Sequence, residues 1–300
     1  MDGSGWVRSQ MLWTWGAVVA VAMVFCGLFA VPAQAARQVR YVALGDSFAA
    51  GPGISRELDA KCERSSRNYA RVLARRIGNV ALKDVTCKGA TTDAVAHRQK
   101  AGVAAQIDAV TADTDLVTLT FGGNDIGFGG IVRTCAFASF LRGCKRIFTT
   151  GGADRIDAKI AATGPKIDKV IQRVRAKAPR AVIVVVGYPR LLPDTARCGR
   201  AVAVKPEDIP YLAAKQRSLN TMLARRAAAA GALGVDPWLA STGHDACRSA
   251  ATRWTEPLRE PSGAVAMHPN AKGMAAVATL IEAALARLPR PPPENVRGGP

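Results

Sequence analysis

The sequence predicts an α/β fold in which a mostly parallel sheet is covered by helices on both faces. Short apolar, β-branched runs alternate with segments of helical spacing, which is the pattern of parallel strands joined by crossover helices. Most of these runs stop abruptly at glycine or another small residue. No composition break or linker divides residues 37–288, so one domain is the economical expectation, and 49% hydrophobic content over 300 residues suffices for a large core.

The first run, residues 41–44 (Tyr-Val-Ala-Leu), reads as a short buried strand cut off by Gly45-Asp46-Ser47. Residues 67–77 place Tyr69, Val72, Leu73 and Ile77 on one helical stripe. Residues 80–86 read as a second strand ending in Cys87-Lys88-Gly89-Ala90, and residues 94–110 as a helix of modest amphipathicity. Residues 116–121 are a clear β-rich run that stops at Gly122-Gly123-Asn124-Asp125. Residues 126–152 hold cysteines, glycines and aromatics and read as a long, partly helical excursion. A helix over 154–177 is expected to be disturbed at Gly164-Pro165. The unbroken run 181–186 suggests a strand buried on both faces, terminated by Gly187-Tyr188-Pro189. A helix over 211–230, a short strand over 232–235 and a last helix over 271–288 complete the body, and residues 289–300 form a Pro/Gly tail expected to be disordered.

The first 35 residues read as a signal peptide: Arg8 precedes an apolar stretch over 11–31, and Ala33-Gln34-Ala35 has the small-x-small form of a cleavage site. Export is therefore expected, a retained membrane anchor being the alternative. Of seven cysteines, Cys26 lies in this leader, leaving Cys62, Cys87, Cys135, Cys144, Cys198 and Cys247. In an exported protein this set reads as disulfides rather than metal ligands, since no pair stands in a C-x-x-C arrangement. Six cysteines allow about 15 pairings, and spacing alone does not choose among them. Pairing neighbours, Cys62 with Cys87, Cys135 with Cys144 and Cys198 with Cys247, is the working expectation.

A formal charge of +18 favours polyanionic partners. The basic residues are spread along helices without aromatic interleaving, which argues against a specific nucleic-acid site. An anionic membrane or cell-wall surface fits better, beside the alternative of a solvated basic surface with no specific partner.

Ser47, Gly89 and Asn124 each follow a strand, and in an open parallel sheet the ligand site lies outside the carboxyl ends of the strands. A serine nucleophile needs a base and donors for the developing oxyanion. The N–H groups of Ser47 and Gly89, with the Asn124 amide, would supply those donors. The plainer alternative for Gly-Asp-Ser is a turn that merely caps a helix.

Gly45-Asp46-Ser47-Phe48, Gly89, Gly123-Asn124-Asp125 and His268-Pro269 fall in the order of the four blocks of the SGNH/GDSL hydrolases. The chain resembles this superfamily over nearly all of its mature length, and within it the secreted actinobacterial lipases and esterases with three disulfides. The resemblance implies a flavodoxin-like, three-layer α/β/α sandwich and ester hydrolysis without metal or cofactor. It also implies Ser47 as nucleophile, His268 as base, and Ser47, Gly89 and Asn124 as the oxyanion hole. His97 reads instead as a surface residue and His244 as a loop residue.

One departure stands out. Many members carry Asp three residues before the histidine, where this chain has Val265. Loss of such an aspartate costs about 10⁴ in turnover in triads built around one. The expectation is a Ser47/His268 dyad with the imidazole held by a main-chain carbonyl at or near Val265, Asp236 or Asp245 being the competing orienters. Asp46 and Asp125 are expected to order their turns. A secreted serine esterase or lipase, acting as a monomer on acyl-ester or lipid substrate, is the function expected. The alternatives are a non-catalytic wall- or membrane-binding module and a polysaccharide deacetylase.

Overall fold

The computed structural model of the protein describes residues 37–138, 143–198 and 200–289. The expected leader and residues 290–300 of the expected tail lie outside the described residues.

The central sheet contains β1 (Val39–Gly45), β4 (Val80–Asp84), β5 (Leu116–Thr120), β6 (Val182–Val186) and β7 (Leu233–Val235), in the order β4-β1-β5-β6-β7. All of its neighbours pair in parallel. Counted along the chain this is the flavodoxin-like order 2-1-3-4-5, whose switch point lies between the first and third strands. Those strands are β1 and β5, so the ends of β1 and β5 flank the crevice in which such sheets bind ligands.

Side chains alternate along each strand and divide the core in two. Val42 and Leu44 of β1, with Ile183 and Val185 of β6, face one cluster, which includes Ile160, Ile167, Leu219 and Leu223. These come from α5 (Arg155–Lys177) and α6 (Ile209–Ala229). Tyr41 and Ala43, with Val184 and Val186, face the other cluster, which includes Tyr69, Leu73, Met274 and Ile281. These come from α2 (Tyr69–Ile77) and α7 (Ala271–Ala286). Helices therefore cover both faces, and the unbroken β-branched run of β6 follows from burial on each side.

Several details differ from the sequence expectations. The helix expected over 94–110 is absent. Two short 3-10 turns, Thr92–Val95 and Gln106–Ala109, stand there instead. Gly102 takes a left-handed φ of 73° between them, and the buried Gln106 side chain is committed to hydrogen bonds with Gly45. Pro165 stands inside α5 without ending it. The buried residues Ile160, Ile167, Val170 and Val174 along that helix supply packing that offsets the lost backbone bond.

A small antiparallel hairpin, β2 (Glu57–Asp59) with β3 (Arg64–Ser65), was not legible in its short charged sequence. The excursion after β5 holds α3 (Phe128–Ala138) and α4 (Cys144–Thr149). A four-residue helix, α1 (Ser47–Ala50), follows β1. The disulfides join Cys62 to Cys87, Cys135 to Cys144 and Cys198 to Cys247, as the pairing of neighbours anticipated. No helix among the described residues is long and apolar enough to cross a membrane.

Candidate active site

Ser47 is presented by the turn at the end of β1. Gly45 is required there by space: a Cβ would fall 2.8 Å from the Ala49 Cβ and 3.0 Å from the Thr120 carbonyl oxygen. Gln106 brackets this glycine, its Oε1 accepting from the Gly45 N–H at 2.8 Å and its Nε2 donating to the Gly45 carbonyl at 3.0 Å. Asp46 donates its N–H to the Thr120 carbonyl at 2.9 Å, stitching the turn to the end of β5. Its Oδ1 accepts from the Phe48 N–H at 2.8 Å, which caps α1. Burial pushes the Asp46 carboxyl up to about 7, against hydrogen bonds from Tyr188 and Phe48 that pull it down.

Gly89 follows β4 with a left-handed φ of 79°, a conformation open to glycine at little cost. Cys87 donates to the Gly45 carbonyl at 2.9 Å, Lys88 to the Cys62 carbonyl at 3.1 Å, and the Gln99 amide donates to the Lys88 carbonyl at 2.8 Å. The Cys87 bond ties the segment before Gly89 to the Ser47 turn, while the Lys88 bond and the Cys62–Cys87 disulfide tie it to the β2–β3 hairpin. Neither the Ser47 nor the Gly89 N–H donates to another group among the described residues. Asn124, after β5, spends one amide hydrogen on the Ala90 carbonyl at 2.9 Å and keeps a second donor. Asp125 accepts from the Thr92 N–H at 3.0 Å and the Thr92 hydroxyl at 2.6 Å, so it orders the loops as expected.

His268 reaches the same rim from the loop before α7. That loop is anchored by Glu256, whose carboxylate accepts from the Arg253 guanidinium at 2.7 Å, the Ser262 N–H at 2.9 Å and the Asn270 amide at 2.9 Å. The Glu256 N–H donates to the His268 carbonyl at 2.9 Å, and Asn270 caps α7 through Lys272 and Gly273. The neighbouring Met267 carries a left-handed φ of 58°.

His268 Nε2 lies 2.8 Å from Ser47 Oγ. Its Nδ1 lies 2.8 Å from the carbonyl oxygen of Ala266, which can only accept, so Nδ1 carries a proton and neutral His268 has Nε2 free to accept. This corrects the assignment to Val265. The Val265 carbonyl instead accepts the His268 backbone N–H at 3.2 Å, and the ring folds back onto the next carbonyl along. Burial lowers the His268 pKa; the Ala266 bond and Glu63 raise it, and Lys88 lowers it further.

The competing orienters lie elsewhere. Asp236 accepts from the Asn220 amide and the Trp238 N–H, and Asp245 from the Cys247 N–H and Arg248. His244 stacks on Trp254 with ring centroids 4.3 Å apart, and His97 is exposed beside Asp93. Among the described residues no cluster of three or more His, Cys, Asp or Glu side chains is arranged to hold a metal ion.

A cavity of about 130 Å³ opens at Ser47, Asn124 and His268. Ile131 of α3, Leu192 from the segment after β6, Leu212 and Leu219 of α6, and Met267 give it an apolar wall. Ile131 and Leu192 come from the stretches 126–152 and 191–210, which sequence reasoning expected to shape the pocket; it missed the part of the wall that α6 supplies, along with Gln106 and Gln99. Strand patterning offers no signal for residues that line a cavity from loops and a distant helix.

A hydroxyl paired with a neutral imidazole, facing backbone and amide donors at the mouth of an apolar cavity, is suited to acyl transfer. Residues 43–276 match the GDSL-like Lipase/Acylhydrolase family. Lipase 2 of Streptomyces coelicolor is 41% identical over 85% of this chain and 90% of its own. Two solved structures superpose with 28% identity over 82% of this chain and 99% of theirs. They are an extracellular lipase from Streptomyces rimosus, TM-score 0.68, and a phospholipase A1 from Streptomyces albidoflavus NA297, TM-score 0.67. The chain belongs to the GDSL-like lipase/acylhydrolase family.

Proposed function

We propose that the protein is an exported serine lipase or esterase that cleaves acyl esters, phospholipid among them, through a Ser47/His268 dyad. The observation that carries this is the 2.8 Å contact between Ser47 Oγ and His268 Nε2 at the mouth of the apolar cavity. Neutral His268 takes the Ser47 proton as Oγ attacks the ester carbonyl. The Ser47 and Gly89 N–H groups and the Asn124 amide hold the oxyanion. The imidazolium then returns its proton to the departing alcohol, leaving an acyl-enzyme that water hydrolyses by the same steps in reverse.

The Ala266 carbonyl fixes the tautomer without a full negative charge behind the ring. The apolar wall can cover an alkyl chain much longer than the methyl of an acetyl group, which favours lipid over polysaccharide acetate. Export by a cleaved leader fits the three disulfides, which form in oxidising compartments. The charge of +18 and the exposed Phe137, on the helix that lends Ile131 to the cavity, fit work at an anionic lipid surface.

The test is Ser47→Ala. The variant is expected to lose at least 10³-fold in turnover of p-nitrophenyl butyrate, on the scale of lost catalytic nucleophiles, and to escape labelling by a fluorophosphonate. Parental turnover would overturn the assignment and favour a non-catalytic module.

A further inference from the structure

The turn Gly187-Tyr188-Pro189 at the end of β6 lies outside the serine, glycine, asparagine and histidine blocks, yet the Tyr188 side chain is buried among them. Its hydroxyl donates to Asp46 Oδ2 at 2.7 Å and accepts from the Gly123 N–H at 2.8 Å. Its ring packs edge-on against Phe48, with centroids 4.9 Å apart and planes at 79°. Phe48 in turn faces the His268 imidazole at 5.1 Å. One side chain thus touches the residues either side of Ser47 and the residue before Asn124, and reaches the base through Phe48.

We propose that Tyr188 is a positioning residue whose hydroxyl locks the Asp46-Ser47 turn to the Gly123-Asn124 turn, fixing the nucleophile against the oxyanion donor. This rests on the roles of Ser47 and Asn124 proposed above.

The tyrosine is itself held rigidly. Asn220 accepts from its backbone N–H at 3.0 Å and donates to its carbonyl at 2.8 Å, and Asn220 is anchored to Asp236 at 2.7 Å. Gly123 points the same way. It is not among the glycines with positive φ, so its backbone does not demand glycine. A Cβ there would lie 3.2 Å from the Tyr188 hydroxyl oxygen and 3.3 Å from its ring. The close approach of Tyr188 accounts for the missing side chain. The contacts also divide the work: the hydroxyl joins the two turns, while the ring fills space in the cavity wall.

Tyr188→Phe removes the oxygen and keeps the ring. A wall residue alone would alter KM or melting temperature and leave kcat intact. A positioning residue is expected to lower kcat for p-nitrophenyl butyrate about 10- to 100-fold, since small misplacements of reacting groups cost up to about 10². KM should stay within about threefold, and the rate constant for fluorophosphonate inactivation should fall in parallel with kcat, because phosphonylation also develops an oxyanion.

A folded Tyr188→Phe protein with parental kcat overturns the proposal. If that variant does not fold, Gly123→Ala is the second arm. It keeps every hydrogen-bonding group and presses a methyl against the hydroxyl, and parental kcat there overturns the proposal equally. Ser47→Ala in the same assay separates the two levels. Parental turnover in Ser47→Ala removes the nucleophile assignment, whereas its loss beside parental turnover in Tyr188→Phe removes only the role of Tyr188.

Discussion

The Nδ1–H of His268 is held by the carbonyl of Ala266, two residues upstream in the same loop and 2.8 Å away. An orienter inside the loop means that no carboxylate is needed as hydrogen-bond acceptor for the imidazole Nδ1–H. Asp236→Asn and Asp245→Asn are therefore expected to keep kcat within about threefold of the parent, because neither carboxylate touches the ring and asparagine at 236 keeps the oxygen that accepts from Asn220 and Trp238. Steady-state kinetics on p-nitrophenyl butyrate checks this. A fall of several hundredfold in either variant would restore a charged orienter, on the scale known for triad aspartates.

Burial disfavours the imidazolium form of His268, so the active neutral base persists to lower pH than an ordinary histidine allows. The acid limb of kcat/KM is expected to have its midpoint below 6.5, the ordinary histidine value. A pH–rate profile with its midpoint above that value would contradict the burial argument.

The same shift acts on stability, and Asp46 opposes it. His268 has its folded pKa below the unfolded one, so the unfolded chain binds more protons and stability falls as pH drops through the unfolded value. Asp46 is raised from 3.8 to about 7, so its contribution is fully present below 3.8 and is lost as pH rises through about 7. Asp46→Asn removes the second dependence and leaves the first. Denaturant midpoints measured from about pH 4 to pH 7 should rise more steeply with pH in that variant than in the parent. A flatter dependence would show that the Asp46 shift has the wrong sign.

The disulfides close loops of very different length, with sequence separations of 49 for Cys198–Cys247, 25 for Cys62–Cys87 and 9 for Cys135–Cys144. Chain-entropy arguments assign about 4, 3.5 and 2.6 kcal/mol respectively. Paired Cys→Ser variants should lose thermal stability in that order, by roughly 2–4 °C per kcal/mol for a chain of this size. Loss of Cys62–Cys87 should also lower kcat, because that disulfide ties the Gly89 peptide to the hairpin. Calorimetry and kinetics on the same preparations check both.

Leu212 lines the cavity from α6 and is only partly buried, so a larger side chain there can enter the cavity without disrupting the sheet. Leu212→Trp is expected to lower kcat/KM for a C12 ester at least tenfold, the scale of losing one or two buried methylenes. The acetate ester should stay within about threefold. An unchanged chain-length profile would place the acyl group outside this cavity.

Residues 41–44 and 181–186 were legible as strands because burial on both faces leaves an unbroken apolar run, which needs no knowledge of partners. The small-residue stops after residues 41–44, 80–86 and 116–121 marked Ser47, Gly89 and Asn124 as neighbours on one rim, since parallel strands deliver their carboxyl ends to the same side. The missing aspartate at Val265 was equally plain, and with it the need for a main-chain acceptor.

Which carbonyl served was decided only in three dimensions: the choice between Val265 and Ala266 depends on how the loop folds back through Met267, whose left-handed backbone no residue pattern announces. The expected helix over 94–110 failed for a related reason. Local spacing favoured it, but Gln106 gains more from its two buried bonds to Gly45, a partner 61 positions away, than from an exposed helical turn. Tyr188 and the part of the apolar wall supplied by α6 belong to the same class. Hydrophobic period and turn chemistry act between near neighbours and so are written along the chain, whereas contacts between loops from different strands exist only once the sheet has set their spacing.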